Sequence, residues 1–310
     1  MRPFAALWIL LLACALSACG VGAGKEGGAA TVLVTRDFGA TELGRKSARG
    51  IPAGETVMRL LQRRFEVQTR FGGGFVGSID GLTGGRDGER PVDWFYYVNG
   101  IEAEVGAGDR KVTDGDRIWW DHHDWSTTMR IPAVVGSFPE PFRSGSEGER
   151  RPVRLDCAPS AGDVCDEVRK RLTAVGVLAA SKARLGTDPG KETLRLVVGP
   201  WKEIRADRAS LLLESGPEAS GVYAKPSKDG ATLELLDQSG KVVRTLREAA
   251  GLVAATRYEE QQPTWFVTGT DAAGVAAAAS ALDEAILANR FAVAIEGGRG
   301  VPLPVRPERQ

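Results

Sequence analysis

The sequence predicts a mixed α+β protein in which one helix lies on a small mixed sheet and a separate α/β unit follows. Three features carry this prediction. Before residue 130 a single helix-period segment sits among short β-branched and aromatic runs; a Pro-rich stretch then interrupts the pattern; beyond residue 152 strand and helix patterns alternate.

In the first half, Thr31 to Thr35 reads as a strand by β-branching. Glu55 to Phe65 places Val57, Met58, Leu60, Leu61 and Phe65 at helical spacing, with Gly54 before them and Arg63 and Arg64 near the C-terminal end of the dipole. Its apolar face needs a sheet. That sheet is expected from Gln68 to Phe71, Phe75 to Ile79, Asp93 to Val98 and Arg117 to Trp125, with Asn99-Gly100 as a tight turn. Pro132, Pro139 and Pro141, followed by the polar run Ser144 to Arg151, mark residues 131–151 as an extended, fairly stiff linker. The second half, 152–310, is read as Val153 to Leu155, a helix from Asp163 to Ala174, Leu194 to Val198, a helix from Asp207 to Glu214, and Thr232 to Leu236 paired with Val242 to Arg244. Gly251 to Thr256 is small, apolar and expected to be buried. Trp265 to Thr268, a long helix from Ala272 to Leu287 and Phe291 to Ile295 complete the unit, with Asp271 as the helix cap.

Arg2, an unbroken apolar run from Phe4 to Leu16, and small residues after it have the make-up of a secretory signal over residues 1–18. At about 13 residues the run is too short for the ~20 that cross a bilayer. The Ala-rich stretch from Gly274 to Val293 is interrupted by Asp283, Glu284 and Arg290, so it reads as an amphipathic helix instead. The signal ends in Leu16-Ser17-Ala18-Cys19-Gly20, which resembles the lipobox of bacterial lipoproteins. That resemblance implies acylation of Cys19, a Gly-rich tether over 19–30, and residence on the extracytoplasmic face of the cell membrane; the alternative is ordinary cleavage after Ala18. Cys14 leaves with the signal, so Cys157 and Cys165 remain and are expected to pair in an oxidising compartment. A metal site built on them lacks further Cys or His nearby in sequence. Acidic and basic residues balance at forty each with no basic stripe, which argues against a nucleic-acid partner.

The densest chemistry lies in Asp93 to Gly100 and Asp116 to Trp125, which hold four of the seven Trp and both His. Strand alternation sets Ile118, Trp120, His122 and Asp124 on one face and Trp119, Asp121, His123 and Trp125 on the other. One face is expected to be core and the other an exposed aromatic platform for a flat ligand or a partner. Several landmarks accompany it: Phe75-Val76-Gly77-Ser78-Ile79-Asp80-Gly81-Leu82, Trp94-Phe95-Tyr96-Tyr97-Val98-Asn99-Gly100, Gly106-Ala107-Gly108, Asp114-Gly115-Asp116 and Trp119-Trp120. Together they resemble a bacterial β-grasp family of lipoproteins and surface proteins, similar to the C-terminal, cobalamin-capping domain of transcobalamin and intrinsic factor. The resemblance covers residues 31 to 125. It implies a β-grasp domain over 31–130, a corrinoid as bound ligand, and an energy-coupling transporter as partner. Phe75, Gly77, Ser78, Ile79, Trp94 and Tyr96 become ligand-contact candidates by the same resemblance. Trp119, His123 and Trp125 join them from the platform face. The carriers also use a helical barrel, for which this sequence has no counterpart.

Other chemistry finds little support. Adjacent His122 and His123 point to opposite faces of a strand and cannot grip one metal together without a bulge. The sequence contains no Gly-x-Ser-x-Gly and no His-Glu-x-x-His. Val267 to Asp271 holds one glycine and is no phosphate loop. The leading expectation is therefore a membrane-anchored extracytoplasmic binding lipoprotein with no resident cofactor. Its rivals are a protein-interaction or envelope-organising lipoprotein and an exported hydrolase using paired carboxylates. A ligand site predicts a concavity lined by Trp94, Tyr96 and a Trp of the last strand, an interface predicts an apolar patch, and an enzyme predicts paired acids in a cleft.

Overall fold

The computed structural model describes residues 28–178 and 180–306; the signal-like segment, Cys14, Cys19 and most of the Gly-rich tether lie outside them. Mixed α+β architecture is what it shows, with several separate sheets. The first half comprises β1 (Ala30–Arg36), β2 (Thr41–Ala48), α1 (Val57–Gln62), β3 (Val67–Arg70), β4 (Phe75–Ile79), β5 (Leu82–Thr83), β6 (Gly85–Asp87), β7 (Arg90–Val98), β8 (Ile101–Glu102) and β9 (Arg117–Asp124). Strand order in the main sheet is β2-β1-β9-β7-β6, with β8 also on β7. The central pair β1 and β9 runs parallel and the remaining pairs run antiparallel. β3, β4 and β5 form a small sheet of their own.

Two elements differ from expectation for local reasons. β2 is an edge strand whose residues are mostly polar and exposed, so no apolar alternation betrays it. α1 is only six residues long: the Thr56 side chain accepts the Arg59 N–H at 3.3 Å, and Arg64 N bonds Leu61 O as the chain turns into β3. On its inner face α1 buries Val57, Leu60 and Leu61 against Val32, Val34, Ile118 and Trp120 of the sheet.

The second half comprises β10 (Val153–Cys157), α2 (Gly162–Ala174), β11 (Ser181–Arg184), β12 (Leu194–Pro200), α3 (Trp201–Ile204), α4 (Arg208–Ser215), α5 (Pro217–Ser220), β13 (Ala224–Pro226), β14 (Leu233–Leu236) and β15 (Val242–Leu246). It ends with β16 (Gly251–Thr256), β17 (Thr264–Gly269), α6 (Ala272–Ser280), α7 (Glu284–Leu287), β18 (Ala292–Glu296) and β19 (Arg299–Leu303). A seven-stranded sheet runs β11-β10-β12-β17-β16-β18-β19. Its first four strands are parallel and the rest antiparallel. β16 and β17 are buried along their whole length, as strands covered on both faces must be. Small residues let α6 approach: a Cβ added at Gly274 would lie 2.2 Å from Ala250 O. The single long helix expected from Ala272 to Leu287 is instead two, because Asp283 caps a fresh start by accepting the Ala285 and Ile286 N–H groups. Cys157 and Cys165 form a disulfide that ties β10 to α2.

The segment expected to be an extended linker is packed. Ile131, Ala133, Val134, Val135, Phe138 and Phe142 are buried within the core cluster of the second half. Val134 N bonds Gly100 O and Val135 N bonds Phe291 O, so this backbone is stitched to both halves. Phe138 and Phe142 pack on Trp265, with ring centroids 6.1 and 4.9 Å away. The prolines drew the extended reading, whereas the apolar residues between them supply enough buriable surface to join the core.

The same core takes in Leu33, Phe38, Tyr97 and Trp119 from the first half. Phe291 is the hub. Its ring meets Trp119 at 5.1 Å, Phe38 at 5.4 Å, Tyr97 at 5.5 Å and His123 at 5.5 Å. Glycine is required beside it: a Cβ at Gly39 or Gly136 would fall 2.8 or 2.7 Å from the Trp119 indole and closer still to backbone at Asn289 or Arg290.

Two stability outcomes are expected. Phe291→Ala should cost about 3–5 kcal/mol, the usual range for deleting a buried aromatic, and urea unfolding should still follow one transition for both halves. Separate transitions in the unmodified protein would show that the joint does not couple them. Replacing Cys157 and Cys165 together by Ser should cost about 2–3 kcal/mol on the chain-entropy estimate, read as a lower urea midpoint that added reductant no longer changes.

Candidate functional site

β7 and β9 pair so that Trp94 lies opposite His122, Tyr96 opposite Trp120, and Tyr97 opposite Trp119. Alternation then sorts the aromatics between the two faces. On the α1 side, Tyr96 stacks on Trp120 at 4.8 Å and 24°, and its hydroxyl donates to Val105 O at 2.5 Å. Burial pushes that phenol up to about 12. Trp94 Nε1 donates to Leu82 O at 3.1 Å and its ring meets His122 edge-on at 5.1 Å. His122 Nε2 donates to Thr83 O at 3.0 Å, and burial holds its pKa below the ordinary value, keeping the imidazole neutral.

The opposite face is not the exposed platform expected from alternation alone. Trp119 and His123 are 1% and 2% exposed, covered by Phe38, Phe291 and the second half. His123 is sandwiched between Phe38 at 4.6 Å and Phe95 at 4.4 Å, while its Nδ1 contacts Asp121 Oδ2 at 2.9 Å. Asp121 is wholly buried and accepts further hydrogen bonds from Phe38 N at 3.0 Å, Gly39 N at 2.8 Å and the Thr35 hydroxyl. Thr35 Oγ1 in turn accepts the Trp119 indole N–H at 2.7 Å. A buried carboxylate so fully bonded is a structural pin. The two His do point to opposite faces, and among the described residues no group of three or more His, Cys, Asp or Glu is placed to hold a metal ion.

The remaining candidates are also dispersed. Gly77, Ser78 and Ile79 are buried in β4, Trp125 is half-buried just past β9, and Phe75 alone of its segment projects into solvent, 63% exposed. Beside Phe75 is Phe71, 85% exposed, which strand periodicity marks only as the end of the Gln68 to Phe71 run; the rings meet edge-to-face at 5.9 Å. The hairpin is shaped by Phe71, Gly72 and Gly73, at φ of 52°, 70° and 97°. The signal was present in Phe71-Gly-Gly-Gly-Phe75, two aromatics flanking three glycines that offer them no packing partner. Phe71 and Phe75 are the only aromatic residues among the exposed large hydrophobics of the described residues.

Acids gather elsewhere. A cleft of about 230 Å³ between the halves is lined by Glu102, Glu104, Arg110, Arg151 and Arg257. Burial raises the Glu102 carboxyl, with Arg130 at 3.5 Å pulling the other way, and Glu104 pairs with Arg257 at 2.5 Å. Glu102 and Glu104 are thus each matched by an arginine, whereas Glu147, also on the lining, forms no ion pair among the described residues.

The His122 environment predicts a pH dependence. The unfolded chain titrates near 6.5 and the folded imidazole below it, so under pH 6.5 the unfolded state binds the proton first and stability falls as pH falls. Urea unfolding between pH 7 and pH 5 should show this decline, and His122→Gln should flatten it; an unchanged slope in the variant would place the effect on another group.

Residues 54–124, less than a quarter of the chain, match the model of a domain of unknown function, DUF4430. No curated protein matches the chain. A crystal structure of a candidate metal-binding protein from Ruminococcus gnavus ATCC 29149 is similar to part of it, 18% identical over 31% of this chain and 97% of that one. The TM-score of 0.26 is too low for that likeness to carry an argument about this chain.

Proposed function

We propose that this chain is a membrane-anchored extracytoplasmic binding protein, held by a lipid on Cys19, which captures the flat face of a small ligand on the Phe71–Phe75 hairpin. The observation that carries this reading is the exposed aromatic pair itself. Two phenyl rings at 85% and 63% exposure forgo a hydrophobic stabilisation of about 1.5–3 kcal/mol each, and a surface that retains such a cost is commonly one that a partner covers. The small helix α1 on a mixed sheet with β1 and β9 parallel at its centre supports a β-grasp reading of the first half. By the resemblance set out above, a corrinoid is the ligand to test first.

The geometry modifies the ligand contacts. Trp119 and His123 are committed to the joint, Ser78, Ile79 and Trp94 are buried, and Tyr96 and Trp125 are only partly exposed, which leaves Phe71 and Phe75 as the most open aromatic surface for contact. A hairpin tip covers one face of a ligand, so a second surface, supplied by a transport partner, would complete the enclosure. Neither histidine is free to ligate cobalt: both are buried, with His122 Nε2 on Thr83 O and His123 Nδ1 on Asp121.

Cobinamide and cobalamin should bind the purified protein saturably in calorimetry, with no change in the visible spectrum that signals a new cobalt ligand. The double variant Phe71→Ser, Phe75→Ser should lose about tenfold or more in affinity, at least 1.4 kcal/mol, with an unaltered melting temperature because both rings are exposed. Absence of binding at several hundred micromolar, or equal binding by the variant, would overturn the reading.

A further inference from the structure

We infer that the cleft beside Arg195, on the far side of the second half's sheet from α2, is a binding site for a small aromatic carboxylate. The cleft encloses about 500 Å³, within the ~300–1,000 Å³ typical of small-molecule sites, and is lined by Arg195, Arg208, Tyr258, Thr187 and Gln261.

Strand register builds its floor. Arg154 pairs with Arg195 and Asp156 with Val197 across β10 and β12, so Arg154, Asp156 and Arg195 share one sheet face. Asp156 is wholly buried and accepts from Arg154 Nε at 2.6 Å, Arg154 Nη2 at 2.9 Å and Arg195 Nε at 2.8 Å. Arg195 Nη2 also reaches Asp207 Oδ2 at 2.5 Å, while Asp207 Oδ1 caps α4 by accepting the Ala209 N–H at 3.0 Å. Arg154 further donates to Asp188 O and Thr187 O, which fastens the loop after β11 along the rim.

The floor carboxylates and Arg154 are therefore spent, whereas Arg195 and Arg208 are not. The Arg195 side chain is 5% exposed and its Nη1 makes no hydrogen bond to a described residue. Asp156 and Asp207 together occupy its Nε and Nη2, which leaves Nη1 as the nitrogen with unused donors at the cleft. Arg208, exposed at the start of α4, lies over the Tyr258 ring at 5.9 Å and forms no ion pair among the described residues. Asp188, on the rim, turns its Oδ1 to the Gly190 N–H at 2.9 Å.

A pre-oriented guanidinium nitrogen with unused donors, beside the exposed guanidinium of Arg208, suits a carboxylate, whose two oxygens can accept one hydrogen bond from each arginine. The Tyr258 ring adds an apolar wall for a flat ligand body. Three arginines face Asp156, Asp207 and the outlying Asp188, so the formal charges balance and no surplus exists for a polyanion; the attraction for a monoanion rests on the unused donors of Arg195 and Arg208.

The test is calorimetric titration of the purified protein with benzoate, benzamide and inorganic phosphate. Benzoate is expected to bind saturably, benzamide and phosphate at least about tenfold more weakly, and Arg208→Gln to lose about tenfold in benzoate affinity while melting as the unmodified protein does. Arg208→Lys should recover only part of that loss, because a point charge lacks the planar fork. No saturable benzoate binding up to about 10 mM, equal binding by benzamide or phosphate, or no effect of Arg208→Gln would sink the proposal. The Phe71→Ser, Phe75→Ser variant should bind benzoate unchanged, so this site stands or falls apart from the hairpin.

Discussion

Trp119 sits where the two halves meet, its indole wedged against Gly39 and Gly136 and its N–H bonded to Thr35. Around it Phe291 contributes a ring from the second half, and Asp121 pins the turn at Phe38 and Gly39 together with His123. Apolar contact and polar satisfaction are interlocked here: the carboxylate is tolerable in the interior because several donors saturate it, and those donors hold the aromatic rings in register. Removing this wedge would expose the inner face of one sheet and the Phe291 edge of the other.

That joint decides which chemistry reaches solvent. An aromatic-rich strand with two adjacent histidines looks, in isolation, like a recognition surface. Once the second half covers one face and α1 the other, the aromatics of β9 become core and the histidines lose their freedom to ligate. Contact with the outside passes to groups the fold leaves uncovered: the two phenylalanines of the glycine hairpin and the arginines of the charged clefts.

Charge is handled in a consistent way. The buried acids Asp121, Asp156 and Glu140 are each met by several donors, Glu140 by Arg143, Ser144 N and Ser144 Oγ. The isolated buried ion that would drive strong general acid–base chemistry is absent from these three. Around Arg195 the same device orients a guanidinium without exhausting it.

Most of the strands and helices were readable from residue order, because periodicity and caps are local: the spacing of Val57, Leu60 and Leu61, the helix start at Asp207, the cap at Asp271, and the strands β12 and β17 all fell close to their observed places. The pairing of Cys157 with Cys165 was likewise determined by counting. The polar edge strand β2 and the break before α7 escaped, since one lacks apolar alternation and the other turns on a single aspartate. Tertiary structure alone decided that residues 131–142 are core, that Trp119 and His123 are sealed, and that Arg154, Asp156, Arg195 and Asp207 meet. Alternation tells which residues share a face of a strand; what lies against that face depends on segments more than a hundred residues away in the chain, and no local pattern encodes it.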